Sequence, residues 1–86
     1  MANYKLELTS TAQKNLKKLD TKTLKRLIPK IESLQENPFP VGAKKLVTRD
    51  AYRIRVGDYR IIYDVLEDLI LVKILKIGHR KDIYMK

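Results

Sequence analysis

The residues best suited to chemistry lie in the second half of the chain. The segment "GHRKDIY", residues 78–84, contains the only histidine, His79, together with Arg80 and Tyr84. Three more arginines occur in "AYRIRVGDYR", at positions 53, 55 and 60. A guanidinium group presents a planar fork that matches a phosphate group. These residue types therefore predict a phosphate-binding site with a titratable side chain beside it.

One reaction needs only these groups. RNA is cleaved without a metal when a 2′-hydroxyl attacks the adjacent phosphate, with a base, cations around the phosphate and an acid for the leaving oxygen. Arginine supplies the cations but stays protonated at neutral pH, so it is a poor base. The base is then His79 or Tyr84. Histidine ionises nearer neutral pH, whereas a tyrosine would need cations that stabilise its phenolate.

Other chemistries lack the necessary residues. The chain has no cysteine, which excludes thiol chemistry, and a single histidine does not build a zinc site. No Gly-rich phosphate loop occurs, and no serine has an evident base. We therefore expect neither a metal nor another cofactor.

Composition indicates a single basic domain spanning residues 1–86. Nineteen Lys and Arg against ten acids give a net charge of +9, which favours a polyanionic partner; the alternative is a solvated cationic face with no partner. With 44% hydrophobic residues the chain can bury one modest core. The absence of cysteine, of a signal-like apolar run and of a membrane-spanning segment leads us to expect a cytoplasmic protein.

The first half predicts one strand and two helices. Residues 4–8 alternate as a short strand does, and the hydroxyl residues 9–11 suit the start of a helix over "AQKNLKKL". Apolar residues at helical spacing predict a second helix from Thr21 to Asn37, capped by Asp20 or Thr21. Pro29 lies inside it and predicts a kink near Lys25.

The second half predicts three strands: "AYRIRV", "YRIIYDVL" and "LILVKILKIG". Gly57-Asp58 suits a two-residue type II′ hairpin between the first pair, and Glu67-Asp68 is the predicted second turn. The order β-α-α-β-β-β predicts an α+β fold, in which two N-terminal helices pack on one face of a mostly antiparallel four-stranded sheet.

The hairpin register brings cations together. A two-residue turn places Arg55 opposite Arg60 and Arg53 opposite Ile62, all on the face that the helices leave open. Carrying the register through the second turn places Lys73 opposite Ile62. Like charges directly opposite each other destabilise a sheet, so we expect an anion to bind there. The alternative is that each arginine pairs with an acid; the available acids are Asp50, Asp58 and Asp64.

The same face is also predicted to be apolar in part, with Ile62, Leu66, Leu71, Leu75 and Ile77. Such a surface is too apolar to be left bare, so the chain's own tail or a partner segment should cover it. Gly78 is predicted to end the last strand. His79, Arg80 and Tyr84 would then fold back over the arginines.

At this point the sequence resembles the RelE branch of the RelE/ParE toxin superfamily. The resemblance runs through "YKLELTSTAQKNLKKL", "NPFPVGAKKL", "AYRIRVGDYRIIYDV" and "KIGHRKDIY", and the last two carry most of its specificity. It implies a ribosome-dependent endoribonuclease (an mRNA interferase) that cuts mRNA in the decoding site. It also implies a RelB-like antitoxin partner that neutralises the toxin.

The resemblance also implies roles for individual residues. Arg60 and Arg80 match arginines that bind the scissile phosphate, and Tyr84 matches a tyrosine that activates or orients the 2′-hydroxyl. Arg53 and Arg55 stand where relatives carry lysines, one of them proposed as a proton carrier. Some relatives use a histidine beside that tyrosine, and His79 is the candidate for such a role, so base and acid stay open among Tyr84, His79 and Arg80. The residues expected to contact RNA are Arg53, Lys44, Lys45, Lys73 and Lys81.

Two alternatives remain. The ParE branch shares the fold but poisons DNA gyrase, and its members generally lack the full set of Arg60, Arg80 and Tyr84 equivalents. A basic RNA-binding module without catalysis would explain the charge but not the "GHRKDIY" segment.

Overall fold

The computed structural model describes residues 3–47 and 51–79. It contains a strand, two helices and four further strands, with a short 3-10 turn before the last strand. The elements are β1 (Lys5–Leu8), α1 (Ser10–Lys17), α2 (Thr21–Ser33), β2 (Lys44–Lys45), β3 (Tyr52–Val56), β4 (Tyr59–Leu66) and β5 (Leu71–His79).

The strands form one sheet in the order β1-β5-β4-β3-β2. β1 runs parallel to β5, and the other pairs are antiparallel. The predicted α+β fold is confirmed, but the predicted count of four strands is wrong because the sheet has five. The additional strand, β2, is only two residues long, which is too short for a period-two pattern to reveal.

Side chains cap both helices as the sequence predicts. The Thr9 hydroxyl accepts a hydrogen bond from the Ala12 backbone N–H at 3.0 Å and starts α1. The Asp20 carboxylate accepts from the Thr23 N–H at 2.9 Å and starts α2; the Thr23 side chain and then this N–H bond lower the pKa of Asp20. α2 includes Pro29 but ends at Ser33, before the predicted Asn37.

Both helices pack on one face of the sheet. The buried cluster joins residues of α1 and α2 to alternate residues of the strands. Its members are Ala12, Leu27, Ile31, Leu34, Ile54, Ile61, Tyr63, Val72, Ile74 and Ile77. Tyr63 donates a hydrogen bond to the Pro38 carbonyl at 2.7 Å, and burial raises its pKa to about 12, with a smaller contribution from Tyr52.

The β3–β4 hairpin has the predicted tight turn. Gly57 has a φ of +60°. The strands on either side of the turn pair in the predicted register, from Val56↔Tyr59 to Tyr52↔Tyr63. A Cβ at Gly57 would lie 2.6 Å from the Arg26 Nη2 atom. The backbone conformation therefore favours glycine here, whereas the Arg26 guanidinium group is the end of a flexible side chain that can move aside.

The β4–β5 connection differs from the prediction. Residues 67–70 connect the strands, with a 3-10 turn at Glu67–Leu69 and a left-handed Ile70 at φ 51°, instead of the predicted two-residue turn. Leu66 therefore pairs with Leu71, and Asp64 pairs with Lys73. The predicted position of Lys73, opposite Ile62, is wrong by two residues.

A β-bulge in β5 changes the faces further along. Tyr63 pairs with Ile74 but Ile62 pairs with Lys76, so Leu75 is the extra residue. Residues at the start of α1 and within it bind the backbone around this bulge. The Thr9 hydroxyl donates to the Leu75 carbonyl at 2.8 Å, and the Asn15 Oδ1 accepts from the Ile77 N–H at 3.0 Å.

The bulge has two consequences for the prediction. Ile77 lies in the core on the helix side, so its predicted place on the helix-free face is wrong. The strand also continues through Gly78 to His79, so Gly78 does not end it.

Candidate phosphate-binding site

The arginines lie on the sheet face opposite the helices. In β3, Arg53 and Arg55 alternate with Ile54, which is buried in the core, so both arginines point to the other face. Arg55 pairs directly with Arg60 of β4, as predicted. Paired residues in antiparallel strands share a face and lie about 4.5–5.5 Å apart, so two guanidinium side chains start from neighbouring positions.

Arg60 is the fixed member of this group. It lies in β4, the central strand of the sheet, and only 3% of it is exposed, whereas Arg55 is exposed. A buried side chain has few accessible rotamers, so its guanidinium group is positioned before a ligand arrives. Arg55 beside it is free to adjust to the ligand. The pair can thus bind a phosphate between the fixed Arg60 side chain and the adjustable Arg55 side chain.

Two rows of paired residues cross the face. The first runs over β2, β3, β4 and β5 as Lys44, Arg53, Ile62 and Lys76. The second runs as Arg55, Arg60 and Gly78. Strands lie about 4.8 Å apart, so Lys44 and Lys76 start from positions about 14 Å apart. We call the five cations in these rows (Lys44, Arg53, Arg55, Arg60 and Lys76) the cationic face.

Glycine at position 78 matters to this face. Gly78 is the cross-strand neighbour of Arg60 on the side away from Arg55. Because it is a glycine, it places no side chain on this face beside Arg60.

Lys73 lies apart from the arginines. It pairs with Glu7 of β1 on one side and with Asp64 of β4 on the other. All three side chains are on the helix-free face, so the Lys73 charge lies between two carboxylates. The same register places Asp64, considered above as a partner for the arginines, opposite Lys73.

Lys45 and His79 belong to the helix side. Lys45 pairs with Tyr52, whose ring packs against the core. His79 pairs with Tyr59, and their rings meet edge to face with centroids 5.5 Å apart. The structure therefore does not bring His79 to the cationic face. Arg80, Lys81, Tyr84 and Asp50 lie outside the described residues.

Lys76 is the member that the sequence alone did not reveal. Without the bulge at Leu75, residue 76 would point to the helix side. The only sequence signal is that Lys76 is the second of two lysines in a mostly apolar strand.

The apolar part of this face is shielded. Ile62 is 5% exposed and Leu71 is 8% exposed, although they share the face with the arginines. The prediction that these residues would not be left bare is confirmed for this pair.

Neither a metal centre nor a membrane span is found in the described ranges. Residues 3–47 and 51–79 contain no group of three or more His, Cys, Asp or Glu side chains that could hold a metal ion. Within the same ranges, no helix is long and apolar enough to cross a membrane.

The sequence matches a known protein family over almost its full length. Residues 6–84 match the ParE toxin of the type II toxin-antitoxin system, parDE. The chain is 35% identical to a Methanocaldococcus jannaschii protein that carries the name RelE1, covering 94% of each chain. It is 31% identical to Toxin RelG of Mycobacterium tuberculosis, covering 96% of this chain and 98% of that protein.

Solved structures give the same family. The toxin–antitoxin complex RelBE2 from Mycobacterium tuberculosis contains a chain that superposes with a TM-score of 0.83 at 28% identity, covering 93% of this chain and 94% of that one. The isolated E. coli RelE toxin superposes with a TM-score of 0.79 at 26% identity, covering 95% of this chain and 92% of that one.

Proposed function

Because the chain belongs to the RelE/ParE family of type II toxin–antitoxin toxins, we propose that it is a ribosome-dependent endoribonuclease that cleaves mRNA in the decoding site. The observation that carries this proposal is the direct pairing of Arg55 with the buried Arg60 on the helix-free face. Two opposed cations weaken a sheet, so their presence indicates a function for an anion between them.

The reaction is an internal transfer at phosphorus. The 2′-hydroxyl loses its proton to a base and attacks the adjacent phosphorus, and the bond from phosphorus to the 5′-oxygen of the next nucleotide breaks. An acid protonates that leaving oxygen. The products are a 2′,3′-cyclic phosphate and a 5′-hydroxyl. Arg55 and Arg60 stabilise the negative charge that develops on the phosphate oxygens.

The residues proposed to transfer protons lie at the end of the chain, after β5. Tyr84 as the base and Arg80 as a second phosphate ligand are carried over from the family resemblance and lie outside the described residues. His79 is disfavoured as the base, since its ring contacts Tyr59 on the opposite side of the sheet from Arg60.

The flanking cations would hold the substrate strand. Lys44, Arg53 and Lys76 extend the cationic face across four strands, which suits the phosphates on either side of the scissile bond. Lys81 remains an expected RNA contact. Lys73 and Lys45 are weaker candidates, because Lys73 lies between Glu7 and Asp64 and Lys45 lies on the helix side.

A protein partner is proposed on the same grounds. Solved relatives include toxin–antitoxin and RelB–RelE complexes. We propose that a RelB-like antitoxin neutralises this chain in the cytoplasm, where ribosomes are, by covering the cationic face or by displacing the segment after His79.

The test uses purified protein and ribosomes programmed with a defined message and an empty decoding site. Primer extension should show a cut inside that codon, and the upstream fragment should end in a 2′,3′-cyclic phosphate. Arg60→Lys keeps the charge but loses the guanidinium fork, so cleavage should fall sharply. Lys25→Gln, which removes one charge from an exposed position on α2, should cleave like the parent.

A second function has one observation in its favour, since the matching family is described by the ParE toxin. DNA gyrase would then be the target. An intact message together with gyrase-dependent DNA breaks would replace the nuclease proposal with this one, and no effect in either assay would leave a basic binding module.

A further inference from the structure

A cleft of about 200 Å³ lies beside the last residues of β5. β1 ends at Leu8, whose partner is Ile74, so β5 continues beyond its parallel neighbour. The end of α1 lies beside this part of β5, where Asn15 binds the Ile77 N–H. The cleft is lined by Asn15, Lys18, Tyr59, Lys76 and His79, among others.

The polar groups of the cleft are donors. Asn15 uses its Oδ1 to accept the Ile77 N–H at 3.0 Å, which fixes the amide and leaves its Nδ2 hydrogens for a ligand. Lys18 and Lys76 are cationic, and the described lining includes no carboxylate. A fixed amide donor in a cleft that also has the Lys18 ammonium group is suited to a phosphate.

The apolar wall of the cleft carries two rings. Tyr59 and His79 meet edge to face at an interplanar angle of 79°, with ring centroids 5.5 Å apart. Such a wall suits the flat surface of a nucleobase. The volume of about 200 Å³ is below the range of about 300–1,000 Å³ that drug-sized ligands occupy, so the cleft holds one small unit.

Lys76 connects this cleft to the cationic face. It pairs with Ile62 in the row of cations, and it also lines the cleft. A strand of RNA that crosses the sheet along that row therefore reaches Lys76 and then the part of β5 that follows Ile74.

We propose that the cleft binds one nucleotide of single-stranded RNA, with its phosphate on Lys18 and Asn15 and its base against Tyr59 and His79, while Lys76 holds the adjoining phosphate on the cationic face. The identity of the strand rests on the proposed function, because the nucleotide belongs to the message being cut. The cleft thus extends the substrate site from the helix-free face around the sheet edge. Lys18, on α1, is the residue that distinguishes it from the cationic face.

The experiment measures RNA binding without cleavage. A short RNA with 2′-O-methyl riboses lacks the attacking hydroxyl, and fluorescence anisotropy gives its affinity for the full chain over a range of salt concentrations. Each phosphate contact on a single strand contributes about 0.7 to the slope of log K against log salt. Lys18→Gln and Lys76→Gln should each reduce the slope by about that amount, whereas Lys25→Gln should leave it unchanged.

A second measurement locates the ligand. Adenosine 5′-monophosphate added to the isotopically labelled chain should shift the NMR signals of the Asn15 side-chain amide and the His79 ring, and inorganic phosphate should shift the amide with little effect on the ring. A slope unchanged in both lysine variants, or an RNA that does not bind, overturns the proposal, as does a ring signal that the nucleotide does not move.

The two proposals fail separately. Normal cleavage on the ribosome by Lys18→Gln, with an unchanged salt slope, removes the cleft and keeps the nuclease. Lysine-dependent binding by a chain that cuts no message removes the nuclease and keeps the cleft.

Discussion

Replacing Arg55 by glutamine should make the protein more stable and less active. The side chain is exposed and lies directly opposite Arg60. Opposed like charges cost about 0.2–1 kcal/mol, and glutamine keeps the first three carbon atoms of the arginine side chain without the charge. One kcal/mol corresponds to about 4–8 °C in a domain of this size, so the melting temperature should rise by about 1–8 °C.

Activity should change in the opposite direction. Removing one donor from a site that stabilises developing charge costs about 10²–10³ in rate, so cleavage on programmed ribosomes should fall to that extent. Thermal unfolding followed by circular dichroism and single-turnover cleavage give the two quantities. Arg60 is unsuitable for the stability half of this test, because it is 3% exposed and its removal also deletes packing.

Two control variants separate the effect of the Arg55 charge from the effect of its guanidinium contacts. Arg55→Lys should keep the parent's stability, since the repulsion remains, and should lose part of the activity. Lys25→Gln removes the same charge from α2 and should leave both quantities near the parent's. A melting temperature lowered by several degrees in Arg55→Gln would refute the reasoning, because it would mean that Arg55 stabilises the fold.

Three further predictions concern the scaffold. Thr9→Ala should cost about 1–3 kcal/mol in urea unfolding, because α1 loses its cap and the Leu75 carbonyl loses a donor. Gly57→Ala should destabilise by more than about 1 kcal/mol because φ is +60°; the nearby Arg26 guanidinium group is the end of a flexible side chain that can move, so Arg26→Ala should recover little of this loss. Burial raises the pKa of Tyr63 from 10 to about 12, so this residue contributes stability below pH 10 that is lost as the pH rises through 12. Tyr63→Phe has no hydroxyl to ionise, so its free energy of unfolding should fall less than the parent's between pH 10 and pH 12, measured by urea unfolding at each pH.

The hairpin that carries the arginines could be read from sequence for a physical reason. Gly57 at a two-residue turn fixes the register between its strands, and strict alternation on both sides fixes the faces. Local chemistry therefore determines that Arg55 meets Arg60. The helix caps at Thr9 and Asp20 are local in the same way.

The register of the β4–β5 pair could not be predicted from the sequence in this way, because it depends on residues far away in the chain. Thr9 bonds Leu75 at the bulge from 66 positions away in the chain, and Asn15 bonds Ile77 from 62 positions away. No local pattern in β5 encodes those bonds. The position of Lys76 on the cationic face, and of His79 on the helix side, follows from the bulge and was missed with it.

The most direct test of the nuclease proposal uses two messages that differ by one oxygen atom. One carries ribose throughout, and the other has a single 2′-deoxynucleotide at the cut position in the decoding site. The account predicts that the protein cleaves the first message to a 2′,3′-cyclic phosphate and leaves the second intact, and that Arg60→Lys strongly slows cleavage of the first. Equal cleavage of both messages, or of neither, would contradict it.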